Sequence, residues 1–419
     1  MEKHSLSPGL GERCRPLLHS WARHSSIRPS IRSLLTFLST TPFALTPDGS
    51  KLLVGTCANN LLGACQAGYV EIFNVTSAQE IAAVSLGSDE VAGIAVSPDG
   101  QTAYTTHYFD FVCVGCSSAP QAGSTIPANS ITAISLATYT PGKSLTLFGS
   151  PGKLVLKPAG TRAYVAPAFG AGQLSELNLP QLTLAREVMI TGGERIAISG
   201  DGSIVSATTS GYTNGGANDT LTCYRAPGLS TTGSVSLPSL SESGLVMDLA
   251  GKFAYIANQY TSLSYQVDIS RMSVSTSYRS EAPLDLAMSA IGQLYCLSIA
   301  GANISVFGET STLPARIVRA PGNTEFAVSA DDFNMFVADN TGVTLISVLS
   351  GSPVASYFQG YAIYSIALTP TERPSSQEDS REILRIFLRL IQSQARSGNS
   401  SPLPELRRLL ACRAMGRSC

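Results

Sequence analysis

Histidine is almost missing from this chain. Of four histidines in 419 residues, only His107 lies beyond Leu35, so nucleophile–histidine catalysis in the body of the protein would have to use that one residue. Charged residues make up only 14% of the chain, which excludes a charged coiled coil or a solvating disordered chain. No apolar run approaches the roughly 18 residues that a membrane-crossing helix needs. The sequence has no G-x-S-x-G elbow, H-E-x-x-H pair, P-loop or G-x-G-x-x-G turn, so the common hydrolase, metalloprotease and nucleotide-binding signatures are absent. No motif implies a cofactor, and the cofactor is unknown at this level.

The charge that is present is unevenly spread. Lys and Arg number 6 against 2 Asp and Glu in residues 1–40, 14 against 23 in residues 41–373, and 8 against 4 in residues 374–419. An acidic body argues against a surface that tracks phosphates, so nucleic acid is not an expected partner. The first segment, 1–40, carries five arginines from Arg13 to Arg32 and no acid between Glu12 and Asp48. It reads as an organellar transit segment, a weak secretory signal or an ill-defined gene start.

What the chain does have is repetition. Turn-like segments recur as TPDG (46–49), SPDG (97–100), KPAG (157–160), SGDG (199–202), DLAG (248–251), SAIG (289–292), SADD (329–332) and TPTE (369–372). Each follows a short apolar strand such as GIAV or KLVL, and most precede a second strand such as QTAYTT, TRAYVA or KFAYIA. A third and a fourth strand complete each period before the next turn. Proline presets φ, Asp bonds its own backbone, and Gly accepts positive φ where such a hairpin reverses. Four short strands repeated seven times predict an all-β, seven-bladed β-propeller over residues 41–373. Eight inner-strand candidates accompany seven periods, so the last, YSIAL (364–368), is expected to help close the ring.

With its PDG turns and its AYT, AYVA, AYIAN and MFVAD strands, the region 41–373 resembles the YVTN-repeat propellers, a group that includes lactonase-like and quinoprotein-dehydrogenase-like proteins. The resemblance implies the propeller fold and, as an alternative to plain binding, a lactonase-like hydrolase or a quinoprotein-type redox subunit. Bacterial lactonases of this fold carry a Gly-Pro-Arg-His-like run. Here the nearest run is GGERIAIS (192–199), where Arg195 matches the Arg and Ile196 stands in the His position. WD-repeat propellers fit less well, because the single Trp lies at position 21, outside the repeats.

The PDG turns define one face, and the loops joining second to third strands define the other. Those loops are long in blade 1 (57–68), blade 2 (107–129) and blade 4 (210–219), and long loops on a rigid scaffold are where binding residues gather. The leading expectation is a non-catalytic binding propeller that engages a partner protein or small ligand through this rim. His107, Tyr108, Asp110, Asn258, Asp339 and Asn340 are its candidate ligand-binding residues, and His107 and Arg195 are the weak catalytic candidates. Cys57, Cys65, Cys113 and Cys116 fall in these loops. They are open to three readings: disulfides, free thiols or a four-thiolate zinc site. The disulfide reading favours a periplasmic or extracellular location over a cytoplasmic one. Cys223 and Cys296 fall within strands and read as core residues.

Residues 374–419 differ in kind. Ser380 caps a predicted amphipathic helix with Ile383, Ile386, Phe387, Leu390 and Ile391 on one face and Arg381, Arg385 and Arg389 on another. The helix reads as an element packed on the propeller, a surface for a membrane or partner, or an abnormal tail from a shifted reading frame, and no other segment offers membrane contact.

Overall fold

A computed structural model describes residues between 42 and 357, except 49, 60–64, 75–78, 88, 109–125, 169–170, 192, 210–217, 239–243, 259, 290–291, 299–300, 309–310, 321–324, 329–332 and 340–341. The N-terminal segment 1–40, YSIAL and the predicted helix with Arg381, Arg385 and Arg389 lie outside the described residues.

The described chain forms seven four-stranded antiparallel sheets, each built from four consecutive strands. They are the blades of a seven-bladed β-propeller, with the sequence-first strand of each blade innermost. The inner strands are Phe43–Leu45, Glu90–Val96, Pro151–Leu156, Gly193–Ile198, Leu245–Met247, Pro283–Met288 and Glu325–Val328. PFAL therefore supplies the inner strand of blade 1.

Among the described residues six buried clusters hold the blades together, and each lies between two neighbours. Leu53, Val70 and Ile72 of blade 1 meet Ala103 and Ile134 of blade 2; Tyr104 and Ile131 of blade 2 meet Ala163 and Leu177 of blade 3. The series continues to blade 7, where Met335 and Val337 pack on Tyr295 and Leu297 of blade 6. This explains the recurrent Ala-Tyr pair. Successive strand residues point to opposite faces, so Ala103 fills the interface with the preceding blade and Tyr104 the interface with the following one. Ala163–Tyr164 and Ala254–Tyr255 repeat the arrangement, with the bulky ring always on the same side of its blade.

The hairpins between third and outer strands use a second device. Tyr139, Leu182, Leu229 and Met272 hold positive φ of 45–56° at equivalent positions, where blade 7 places Gly351. A large residue in that conformation is uncommon. Burial of Leu182 and Leu229, at 0% and 1% exposure, supplies the compensation.

Two loop boundaries differ from expectation. Strand Lys51–Asn59 and strand Cys65–Asn74 absorb most of the predicted 57–68 loop and leave only 60–64 between them. Cys57 and Cys65 thus sit on paired strands, opposite Gly68 and Asn59 respectively. Cys65 lies opposite Asn59, two residues on from Cys57, and two rises of roughly 3.3 Å combined with the ~4.8 Å between strands exceed the ~7 Å Cα span of a disulfide. The structure therefore does not support a bridge from Cys57 to Cys65. Strand Thr102–Tyr108 likewise takes in His107 and Tyr108, the first two residues of the expected blade 2 loop 107–129. Pairing through polar backbone, without an apolar side-chain pattern, carries both strands beyond their legible ends.

Candidate functional site at the channel mouth

The inner strand of each blade runs from the loop-bearing face toward its turn. The fourth residue before that turn lies at one common level, fixed by register. Gly93 pairs with Thr106, Asp285 with Leu297 and Glu325 with Ala338. The Arg195 backbone N–H donates to Thr208 Oγ1 at 3.2 Å, Gly55 donates to the Pro42 carbonyl, and Ala257 donates to the Gly244 carbonyl. Lys153 completes the level in blade 3, one residue before the Leu154–Val165 pair. Around the channel the ring therefore reads Pro42, Gly93, Lys153, Arg195, Gly244, Asp285 and Glu325. By residue type the positions in blades 3 and 4 are basic, those in blades 6 and 7 acidic and the other three uncharged; the charged side chains described are Lys153, Arg195 and Asp285.

A bulge recurs beside this level. In blades 2, 3, 4 and 6 the inner strand carries one extra residue just before or at the ring. Bulges bend a strand and re-aim its side chains. The glycines have a steric reason. A Cβ on Gly244 would lie 2.7 Å from Asp285 Oδ1 and 2.6 Å from the Leu286 backbone N. Gly244 thus lets the Asp285 carboxylate lean across blade 5 toward Arg195. Lys153 is exposed and Arg195 and Asp285 are partly exposed. The surrounding protein still pushes the Asp285 carboxyl above the ordinary carboxylate range, against its bond from the Leu286 N–H and the attraction of Arg195 and Lys153.

The residues singled out from sequence have separate fates. His107 is fully buried. Its Nδ1 lies 2.9 Å from Asp89 Oδ2 and its Nε2 lies 2.9 Å from Thr132 Oγ1. Thr132 Oγ1 continues to Ser144 Oγ at 2.9 Å, and Asp89 Oδ2 also accepts from the Asn129 N–H at 3.0 Å. The order Asp–His–hydroxyl imitates a catalytic triad, but Asp89, His107 and Thr132 are all buried. A nucleophile must reach its substrate, and this hydroxyl is enclosed by its own blade. The network ties the entry of blade 2 to its second, third and outer strands.

Asn258 is also buried. Its Oδ1 accepts from the Tyr260 and Thr261 N–H groups and its Nδ2 donates to the Pro238 carbonyl, so its amide closes the strand end and anchors the preceding blade's exit. Tyr108 is half-buried at the end of its strand, opposite Glu90. Asp339 pairs with Gly342 through its backbone. Asp110, Asn340, Cys113 and Cys116 lie outside the described residues, as do the side chains of Cys57, Cys65 and Asp339. Cys223 and Cys296 are free, buried thiols in the core. Among the described residues no three His, Cys, Asp or Glu side chains converge on a possible metal position.

Of the ring, sequence reasoning reached only Arg195. Counting four residues back from each turn would have found the rest.

No family model and no curated protein matches this chain. Its structure is similar to that of Kuenenia stuttgartiensis hydrazine synthase, with a TM-score of 0.53 and 14% sequence identity, over 74% of this chain and 97% of that one. At that identity the likeness concerns the fold alone.

Proposed function

We propose that this chain is a non-catalytic binding propeller of the YVTN type, which holds a partner segment or small ligand on its loop-bearing face. The observation that carries the reading is the segregated charge ring at the channel mouth. A ligand with an anionic group meets Lys153 and Arg195, and its cationic or hydrogen-bond-donating end meets Asp285. Strands Lys51–Asn59, Thr102–Tyr108 and Ile204–Thr209 of blades 1, 2 and 4 end on this same face, where the sequence reading expects the long binding loops. Charges of opposite sign segregated at one mouth steer and orient a charged ligand.

The alternative, lactonase-like hydrolysis, is weakened by the commitment of both His107 nitrogens inside blade 2. A lactone panel tested against the intact protein separates the readings. The binding reading expects no turnover above the uncatalysed rate. Turnover that disappears in Arg195→Gln would make the protein an enzyme and overturn it.

A further inference from the structure

The face opposite the channel mouth carries an open groove of about 590 Å³ between the hairpins of blade 3 and blade 4. Six of its lining residues offer polar side chains: Lys157, Thr161, Arg162, Asn178, Gln181 and Thr183. The only apolar lining comes from Leu179 and Pro227, and no carboxylate lines it.

Each cation is held in place from behind. The stem of Lys157 lies across the blade 4 turn, where a Cβ on Gly202 would come within 2.9 Å of its Cγ. Its ammonium makes no hydrogen bond or ion pair among the described residues. Arg162 faces the buried Glu176 with Nε at 3.7 Å. That carboxylate is otherwise committed to Tyr164 Oη at 3.3 Å and the Gly228 N–H at 2.8 Å, beneath the groove. Asn178 Nδ2 donates to Thr183 Oγ1 at 3.1 Å, which leaves the Asn178 carbonyl oxygen available. Lys143 of blade 2 donates to the Gln181 carbonyl at 3.0 Å, pinning the hairpin.

We propose that this groove binds an oxyanion carried on a polyol, of the size and chemistry of a phosphorylated or carboxylated sugar. One lysine and one arginine, with no acid in the lining, select negative charge, and Lys157 carries most of it because Arg162 already faces Glu176. The hydroxyl and amide groups of Thr161, Asn178, Gln181 and Thr183 suit a polyol body, and the volume exceeds that of a bare phosphate ion. The sparse apolar lining disfavours an aromatic ligand. This proposal is independent of the channel-mouth reading, since the two sites lie on opposite faces.

Calorimetric titration of the intact chain with ribose 5-phosphate, glucuronate and neutral ribose tests it. Saturable binding of either anion, with none of ribose, is expected, and the two anions distinguish phosphate from carboxylate preference. Lys157→Ala should weaken binding about tenfold or more, the loss of one charge-assisted contact. Thr161→Glu, at an exposed position that the fold does not need, should abolish it while leaving the melting temperature unchanged. Arg319→Ala, at an exposed cation of blade 6 outside the groove, should have no effect. Absence of saturable binding to both anions up to about 10 mM, or binding indifferent to Lys157→Ala and Thr161→Glu, would overturn the proposal.

Discussion

Replacing His107 with alanine should unfold this propeller more readily than almost any other single polar substitution. The imidazole is 0% exposed and makes two hydrogen bonds of 2.9 Å, one of them to a carboxylate. Its removal leaves Asp89, itself 2% exposed, with the Asn129 N–H at 3.0 Å as its remaining donor in this network. Leaving a buried carboxylate without one of its hydrogen-bond partners costs about 1–3 kcal/mol or more, and the vacated ring volume adds to that. Asp89→Asn keeps an acceptor for both donors and should cost less, about 1–2 kcal/mol. Urea titration followed by circular dichroism measures both, and a lower midpoint at unchanged slope identifies a loss of stability. The double substitution should show coupling of at least about 1 kcal/mol, as expected for contacting groups. A loss below about 1 kcal/mol for His107→Ala, or additivity of the two changes, would refute the structural role assigned to this histidine.

Acid should destabilise the protein through its turns. Asp48 is bonded by the Thr46 hydroxyl and the Ser50 backbone and hydroxyl, which lower its carboxyl from 3.8 to about 2; Asp99 is lowered chiefly by the Ser97 hydroxyl. Burial opposes the same shift at Asp201, where bonds from Ser199 and Ser203 outweigh it. A depressed folded-state value means that the stabilisation is present above the ordinary value and is lost as pH falls through the folded one. Melting temperature should therefore drop between pH 3.8 and about 2, and the triple change of Asp48, Asp99 and Asp201 to Asn should flatten that drop. Gly244→Ala should cost about 1–3 kcal/mol by overpacking, because the new Cβ would press on the Leu286 backbone and the Asp285 carboxylate; an unchanged denaturation midpoint would contradict the close approach of blades 5 and 6. Cys223 and Cys296 should resist alkylation in the folded protein. Burial raises the Cys223 thiol and raises Cys296 to about 11, so peptide mapping after native iodoacetamide treatment should find both unmodified.

The fold was legible because its devices are local. A Pro-Asp-Gly turn and an Ala-Tyr pair each state their own conformation, and their recurrence states the architecture. The third-to-outer hairpins were less legible, since Leu182 and Leu229 hold a backbone conformation that sequence normally signals with glycine. The fate of His107 was hidden for another reason. Its partner Asp89 lies 18 residues earlier, in the connector from blade 1, and only the folded blade brings the two together. The charge ring was hidden in a third way. Lys153, Arg195, Asp285 and Glu325 belong to no local motif, and they share a level only after the inner strands are placed in register around the axis. Arg195 was found through a family resemblance, and its companions were not.

The central claim is that the channel mouth recognises a ligand carrying both charges. Calorimetric titration with 6-aminohexanoate, set against hexanoate and hexylamine, tests it most directly. The account predicts that the doubly charged compound binds at least about tenfold more tightly than either singly charged one, the worth of one added charge-assisted contact. Arg195→Gln should reduce its affinity to that of hexylamine, and Asp285→Asn to that of hexanoate. Equal affinity for all three compounds, or a preference that survives both substitutions, would contradict it.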